Sequence, residues 1–339
     1  MATYLNYPFD PELFLLNWQQ ETDPVKTALY ESGAVQDNAL IRSLIANGGD
    51  FYSVPFYTAL GGNVQNYDGA TNITANSVSG KEQTGIVFGR MAAWAEKQFV
   101  RDYSAADPMK QITTQTAKYW QKQRQAILLK ILAGIFGVSA TGWNDHTTNL
   151  AIQAAGTVGD ANKVTATTAA EAIQKAVGDN AGIFSVAVMH SAIALALAKK
   201  DTLTFRTYND ANGMQRQMNI ADWNGLTVIV DDGVPAATNS AVSTAVDYTT
   251  YLLGAGAIQH ADGPVTEPVE VYREPLTAGG QNTLITRVRE TIHPNGFSFT
   301  KPASGYAGSP TDAQLAAAAN WSVVGDPKNI AIARIISNG

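Results

Sequence analysis

Asp107–Gly137, DPMKQITTQTAKYWQKQRQAILLKILAGIFG, carries the longest helical signal in the chain. Asp107 can cap the first turn, and Pro108 suits the first helical position, whose N–H needs no partner. No further Pro and no Gly interrupts the stretch before Gly134, and Gly137 offers a left-handed stop. At about 100° per residue, Trp120, Ile127, Leu128, Ile131 and Ile135 fall on one side, with Lys118 and Lys122 nearly opposite. Arg124 lands near the apolar side, where it must snorkel or find a carboxylate. About 30 residues at 1.5 Å each make a helix roughly 45 Å long. That exceeds what a compact domain needs and suggests a beam spanning an extended, flat subunit.

Composition narrows what surrounds this beam. The chain has 339 residues, enough for two or more core-forming regions, and 45% of them are apolar, as in a globular protein. Only 15% are charged, against a usual quarter or so. Much of the surface is therefore neutral. It is either the Ser/Thr/Asn/Gln-rich surface of a soluble enzyme or contact surface, since interface cores are depleted in charge. A net charge of −6 argues against a dedicated nucleic-acid binder. The absence of cysteine excludes disulfides, thiolate nucleophiles and zinc–thiolate sites. MATYLNYPFDPELF at the N-terminus lacks the basic region and apolar run of a signal peptide. Ile127–Phe136 is too short to span a bilayer and carries Lys130. The chain is expected to be made and used in cytoplasm.

Upstream of the beam, Asp23 before Pro24 reads as a helix start, with Val25 and Leu29 four apart. Ala39–Ile45 is a short helix stopped by Asn47-Gly48-Gly49. Pieces this short do not fold alone and must lie on this subunit or a neighbour. Phe51–Leu60 is strand-like, and Pro55 restricts it to an edge. GGNVQNYDGATNITANSVSGKEQTG (61–85) follows; between Thr58 and Gly80 its only charged residue is Asp68. With weak alternation at Val64, Ile73 and Val78, it reads as a long hairpin or loop without a core of its own. It is either a surface loop or an arm that orders against another subunit. Gly89–Ser104 is ambiguous between strand and helix.

Downstream, 138–167 reads as irregular, including Thr141-Gly142-Trp143-Asn144. An α/β pattern then begins. Thr168 and Glu171 form a capping-box signature for a helix ending at Gly178. Ile183–Met189 alternates as a strand, and Ser191–Lys200 is an Ala/Leu-rich helix. Leu226–Val230 and Tyr248–Leu253 are buried strands, the first closed by Asp231-Asp232-Gly233. Val269–Arg273 and Thr283–Glu290 form a hairpin through 276–281. Its second strand sets Leu284, Thr286 and Val288 on one face and Ile285, Arg287 and Arg289 on the other. His293-Pro294-Asn295-Gly296 is a turn, and Phe297–Phe299 resumes extended structure. Thr311 and Gln314 make a second capping box, for a short helix through Ala319. Ile330–Ile336 is a final strand.

The chemistry of an active site is not legible. His146, His190, His260 and His293 are too far apart in sequence for a metal pair. Asp231-Asp232 reads as a strand-ending turn more readily than as a catalytic pair. Gly254-Ala255-Gly256 lacks the third glycine of a dinucleotide fingerprint, and no phosphate loop, nucleophile elbow or HExxH occurs. No catalytic, cofactor-binding or metal residue is therefore assigned, and no enzyme activity is expected. From Pro108 to Gly137 there are lysines at 110, 118, 122 and 130 but no acid. This is either a solvated helix face or a weak phosphate contact.

Taken in order, several segments resemble the tailed-phage major capsid proteins of the Hong Kong 97-like fold. They are VPFYTALGG (Val54–Gly62), the Ala106–Phe136 helix, NGLTVIVDDGVP (Asn224–Pro235), YLLGAGAI (Tyr251–Ile258), VEVYRE (Val269–Glu274), ETIHPNGFSF (Glu290–Phe299) and SPTDAQLAAAANWSVV (Ser309–Val324). The resemblance implies an α+β fold. Its parts would be an N-terminal arm (1–50), an extended β-hairpin loop (51–89), a peripheral domain with the spine helix (90–137), an α/β axial domain (138–267), a peripheral β-hairpin (268–300) and a return to the axial domain (301–339). It implies self-assembly, as pentamers and hexamers, into an icosahedral shell around double-stranded DNA in the virion. Lys118 and Lys122 would be inner-face DNA contacts; Val64, Tyr67, Ile73 and Val78 would mark the intersubunit loop. Too few residues precede the loop for an internal scaffolding segment. A separate scaffolding protein is therefore implied, or an already processed chain, with a portal as a further partner and a decoration protein as a candidate one. No membrane and no cofactor is implied. An encapsulin-like compartment shell of the same fold, or a soluble α/β enzyme, are the alternatives.

Overall fold

In the computed structural model the long helix runs from Pro108 to Phe136. The residues described are 3–4, 7–8, 29, 32–58, 60, 62–70, 72–76, 78, 80–100, 108–200, 204–209 and 215–338, with backbone alone at 3–4, 7–8, 108, 111, 204–209 and 215–220. The expected cap at Asp107 and the helix start at Asp23-Pro24 lie outside them. The expected apolar face is buried at Ile127, Leu128, Ile131 and Ile135, while Trp120 is half-buried and donates its indole N–H to Thr286 Oγ1 at 3.2 Å. Only the second half of the helix is enclosed; its first turns are largely exposed.

The end of the helix differs from the expected left-handed stop. Gly137 is not among the residues of positive φ. The Gly137 and Val138 N–H groups instead bond back three residues, to Gly134 and Ile135, tightening the last turn. Glycine is required for a different reason: a Cβ at 137 would lie 2.8 Å from the Ala318 Cβ.

The helix lies between two sheets. One has eight strands. Its order is Thr147–Asn149, Ile332–Asn338, Val246–Leu253, Val186–Met189, Leu226–Val230, Gln215–Trp223 and Thr204–Asn209, with Ala236–Thr238 added to Val246–Leu253. Every residue of Val186–Met189 is buried. Alternation along it splits the core: Val186 and Val188 join the long helix, while Ala187 and Met189 join the helices Thr168–Val177 and Ser191–Ala198. The sheet is thus covered on both faces, which explains its near-continuous apolar strands.

The second sheet is built on the 14-residue strand Gln281–Pro294. Phe88–Lys97 pairs with it antiparallel along one edge; Val269–Glu274 and Ile258–Asp262 pair along it as well, and Val35–Asp37 adds in parallel to Ile258–Asp262. The expected hairpin is present, its second strand six residues longer than predicted, two before Thr283 and four after Glu290. The ambiguous 89–104 region resolves as strand to Lys97, then helical backbone at 98–100. Ala39–Ile45 is helical with the expected bounds; Ile41 and Ile45 pack on Tyr52, Val87 and Ala261 of the same subunit.

Several local signals shift. Thr168 is the first helical residue and not the cap: its hydroxyl accepts from the Thr165 N–H, and Thr167 bonds Glu171 instead. The strand expected from Ile183 begins at Val186, after a 3-10 turn over Ala181–Ile183. His190 caps the next helix through its ring nitrogen, and that helix ends at Ala198. The Thr311/Gln314 capping box forms as expected, but its helix stops at Ala316. The last strand is Ile332–Asn338. Within the irregular 138–167 stretch, Trp143 is buried and stacks on Phe136 and His146.

Candidate intersubunit surfaces

Phe51–Tyr57 and Gly80–Ile86 form an antiparallel hairpin in unbroken register, with Pro55 opposite Glu82 in a two-stranded sheet where both strands are edges. Two strands are marginal alone, so the stem is tied to the body. Tyr52 is buried, its ring lying over Gly85 where a side chain would collide, and its hydroxyl bonds Thr291. The Thr84 N–H donates to Ser298 Oγ at 3.0 Å, and Lys81 Nζ donates to the Val324 carbonyl at 3.3 Å.

Beyond the stem the described tip residues stand in solvent. Val64 and Tyr67 are wholly exposed, Ile73 is 86% exposed and Val78 53%. Leu60 and Tyr57 are exposed as well. The tip is shaped by local polar bonds: the Gln65 side chain exchanges two hydrogen bonds with the Thr74 backbone, and Asp68 turns the chain by accepting from the Ala70 N–H. Polar bonds fix the outline of the tip, and Val64, Tyr67 and Ile73 stand exposed among the described residues.

Lys118 is exposed and Lys122 half-buried, one turn apart on the long helix. Lys130 and Arg124, nearer the core, meet carboxylates. Lys130 Nζ lies 2.6 Å from Asp312, which also takes Arg90 at 2.8 Å, and these two cations hold its carboxyl below the usual range despite partial burial. Arg124 finds the carboxylates that its position demanded: Nε is 2.6 Å from the buried Glu290 and NH2 3.1 Å from Asp262. Sequence reading could demand a partner for Arg124 but could not find it, because the acids lie 166 and 138 positions away.

His260 joins this junction, with Nε2 3.4 Å from Glu290 and 3.5 Å from Asp262. His260, Asp262 and Glu290 could together face one cation, but the Arg124 guanidinium already occupies both carboxylates. The other histidines are structural. Burial holds the His146 ring below its usual pKa, with Nδ1 2.8 Å from the Ile332 carbonyl. The fully buried His293 is pushed down to about 4, with Nε2 bonded to the Phe297 carbonyl. Asp231 and Asp232 accept from the Gly233 and Ser191 N–H groups, and Asp231 also holds Gln125, so the pair closes turns. The features outside the core are therefore a charge-poor apolar loop, a basic helix face and a set of ionic joints, of whose acids only Glu290 is buried.

The profile of the family described as Gp13-like, major capsid protein 13-like, matches residues 24–331. The major capsid protein of Bacillus phage SPP1 is 32% identical over 330 residues, covering 95% of this chain and 94% of that protein. Among solved structures, the cyanophage Pam1 capsid unit aligns with a TM-score of 0.59 at 11% identity over 94% of each chain. The acidic stable capsid of Helicobacter pylori bacteriophage KHP30 aligns with a TM-score of 0.54 at 14% identity over 100% of each. At such identities the structural likeness speaks to the fold alone.

Proposed function

Because the chain belongs to the Gp13-like family of major capsid proteins, we propose that it builds a tailed-phage head shell as rings of five and six copies closed around double-stranded DNA. It is a major capsid protein with the Hong Kong 97-like fold, and its place is the phage head. Copies of the chain associate with one another; the ring sizes, the DNA and the auxiliary partners are the finer part of the reading.

The observation that carries this reading is the loop tip. Val64, Tyr67 and Ile73 lie in solvent on a hairpin whose stem is fixed. Wholly burying such a side chain contributes about 1.5–3 kcal/mol before the costs of association. A tip with one charge can cross a neighbour without stranding ions in the contact. Many contacts of this modest size suit a shell, which must correct errors before it locks. In this reading 1–50 is an arm, 51–89 the extended loop, 90–137 and 268–300 the peripheral domain, and 138–267 and 301–339 the axial domain. Lys118 and Lys122 touch packaged DNA at its phosphates, without reading sequence. A separate scaffolding protein and a portal assist assembly, a decoration protein is a further candidate partner, and the shell does no catalysis.

Electron microscopy of the expressed protein, with and without its assembly partners, tests the reading. Closed shells of uniform size are expected, and nuclease-resistant DNA inside mature heads. Shells holding protein cargo and no DNA would favour a compartment instead.

A further inference from the structure

The strand Val269–Glu274 stands at an edge of the second sheet. Among the described residues it pairs on one side alone, with Gln281–Pro294. Hydrogen-bond parity decides which of its backbone groups are left over. The Arg287 N–H donates to the Pro268 carbonyl at 2.8 Å, so these two residues form a hydrogen-bonded pair. Bonded pairs alternate along an antiparallel ladder. The backbone of Glu270, Tyr272 and Glu274 is therefore turned inward, and that of Val269, Val271 and Arg273 outward. The same edge is apolar: Val269 is 62% exposed and Val271 59%, with Tyr272 and Leu276 open beside them. An open strand edge is a template for a further strand, and natural edges are commonly blunted by lysine, a bulge or a cover. This strand carries no lysine, and Pro268 and Pro275 only bound its length.

We infer that Val269–Glu274 is a self-pairing edge, at which two copies of the chain join antiparallel across a two-fold axis through Val271 and make one continuous sheet. The inference rests on self-association of the chain, and not on the ring sizes or the DNA. Charge selects the register. Outward residues must meet outward residues, which leaves three closely overlapping alignments. Val269 opposite the partner's Val271 would set Glu270 against the partner's Glu270. Val271 opposite the partner's Arg273 would set Glu270 against the partner's Glu274. Like charges directly opposite are destabilising. Val271 opposite the partner's Val271 avoids both: Val269 then faces the partner's Arg273, and Glu270 faces the partner's Tyr272. Arg273 also comes diagonally within reach of the partner's Glu267. Every outward N–H and C=O of both strands is used, in about six backbone bonds. The edge is thus complementary to itself, whereas nothing on it selects a foreign strand. A two-fold contact closes, so the edge yields pairs and not a fibre.

The chain has no cysteine, so single introduced thiols report the register. Val271→Cys is made in the full-length protein and oxidised with diamide, both in assembled particles and as concentrated subunit, then run on a non-reducing gel. Opposed residues of a bonded pair lie about 5.5 Å apart at Cα, within disulfide reach. A dimer band is expected, roughly tenfold stronger than from Val269→Cys, whose two copies would lie more than about 13 Å apart. Val269→Cys with Arg273→Cys in one chain restores the band, because those positions face each other across the axis. Adding Val271→Pro to this double variant removes an outward N–H and no bond within the subunit. The unfolding midpoint should hold while the dimer band falls roughly tenfold. No band from Val271→Cys in either state overturns the inference. Equal bands from Val271→Cys and Val269→Cys, the mark of chance collision, overturn it as well. A Val271→Cys band that forms where no shell does supports the pair and removes the shell reading; closed shells without the band do the reverse.

Discussion

Gly134 sits in a helix interior, where glycine costs about 1 kcal/mol relative to alanine. Packing explains its presence. An alanine Cβ there would lie 2.5 Å from the Leu315 carbonyl and 2.9 Å from Trp321 Nε1, two atoms joined by a buried 2.7 Å hydrogen bond. Overpacking of about 1–3 kcal/mol and strain on that bond outweigh the gain in propensity. Gly134→Ala should therefore destabilise the subunit by roughly 1–3 kcal/mol in urea denaturation; a stabilised variant would show that the C-terminal segment yields easily. His293 makes a second argument. Its Nε2–H donates to Phe297, leaving Nδ1 buried without a partner, so protonation would place a charge where nothing answers it. Its pKa falls from 6.5 to about 4 because of burial. The unfolded chain thus takes up a proton first as pH drops. The stability is fully present above pH 6.5 and is lost as pH falls through 4, by roughly 3 kcal/mol in total. Denaturation at pH 7.0, 5.5 and 4.5 should show a fall that is smaller in His293→Gln, where the buried His146 ring still contributes in the same direction.

Between elements, the ionic joint at Arg124 ties the long helix to the second sheet. Arg124→Ala would leave Glu290 buried without its cation, which typically costs about 3–5 kcal/mol. His260, 3.4 Å away, answers part of that charge, so the lower end of the range is expected. Adding Glu290→Gln should recover much of the loss, as a double-mutant cycle by thermal unfolding would measure. Equal losses in single and double variants would mean that Arg124 acts through its packing. The C-terminal end of the helix is held differently. Arg334 of the last strand donates to the Phe136 carbonyl at 3.2 Å and lies 4.7 Å over the Phe136 ring. A cation at a helix C-terminus is favourable in itself, and this one also joins the eight-stranded sheet to the helix.

At the scale of the molecule, the loop stem is bonded to the body, while Val64, Tyr67 and Ile73 of the tip stand in solvent. Deleting 64–79 should leave the unfolding midpoint nearly unchanged, because the described side chains there are exposed. The same deletion should abolish closed shells in negative-stain images. Normal particles would remove the assembly role from the loop. Sequence alone carried what is periodic or local: the long helix, the helix Ala39–Ile45, the strand Leu226–Val230 with its true bounds, the hairpin of Val269–Arg273 with Thr283–Glu290 though not its second strand's full length, and a charge-poor loop without a core of its own. Each follows from spacing, capping or composition within a few neighbouring residues. Tertiary structure alone decided that Arg124 meets Glu290 and Asp262, and that Gly134 and Gly137 make room for the C-terminal segment. Those outcomes depend on atoms a few ångströms apart in space and far apart in the chain, and no local pattern of residues encodes such a distance.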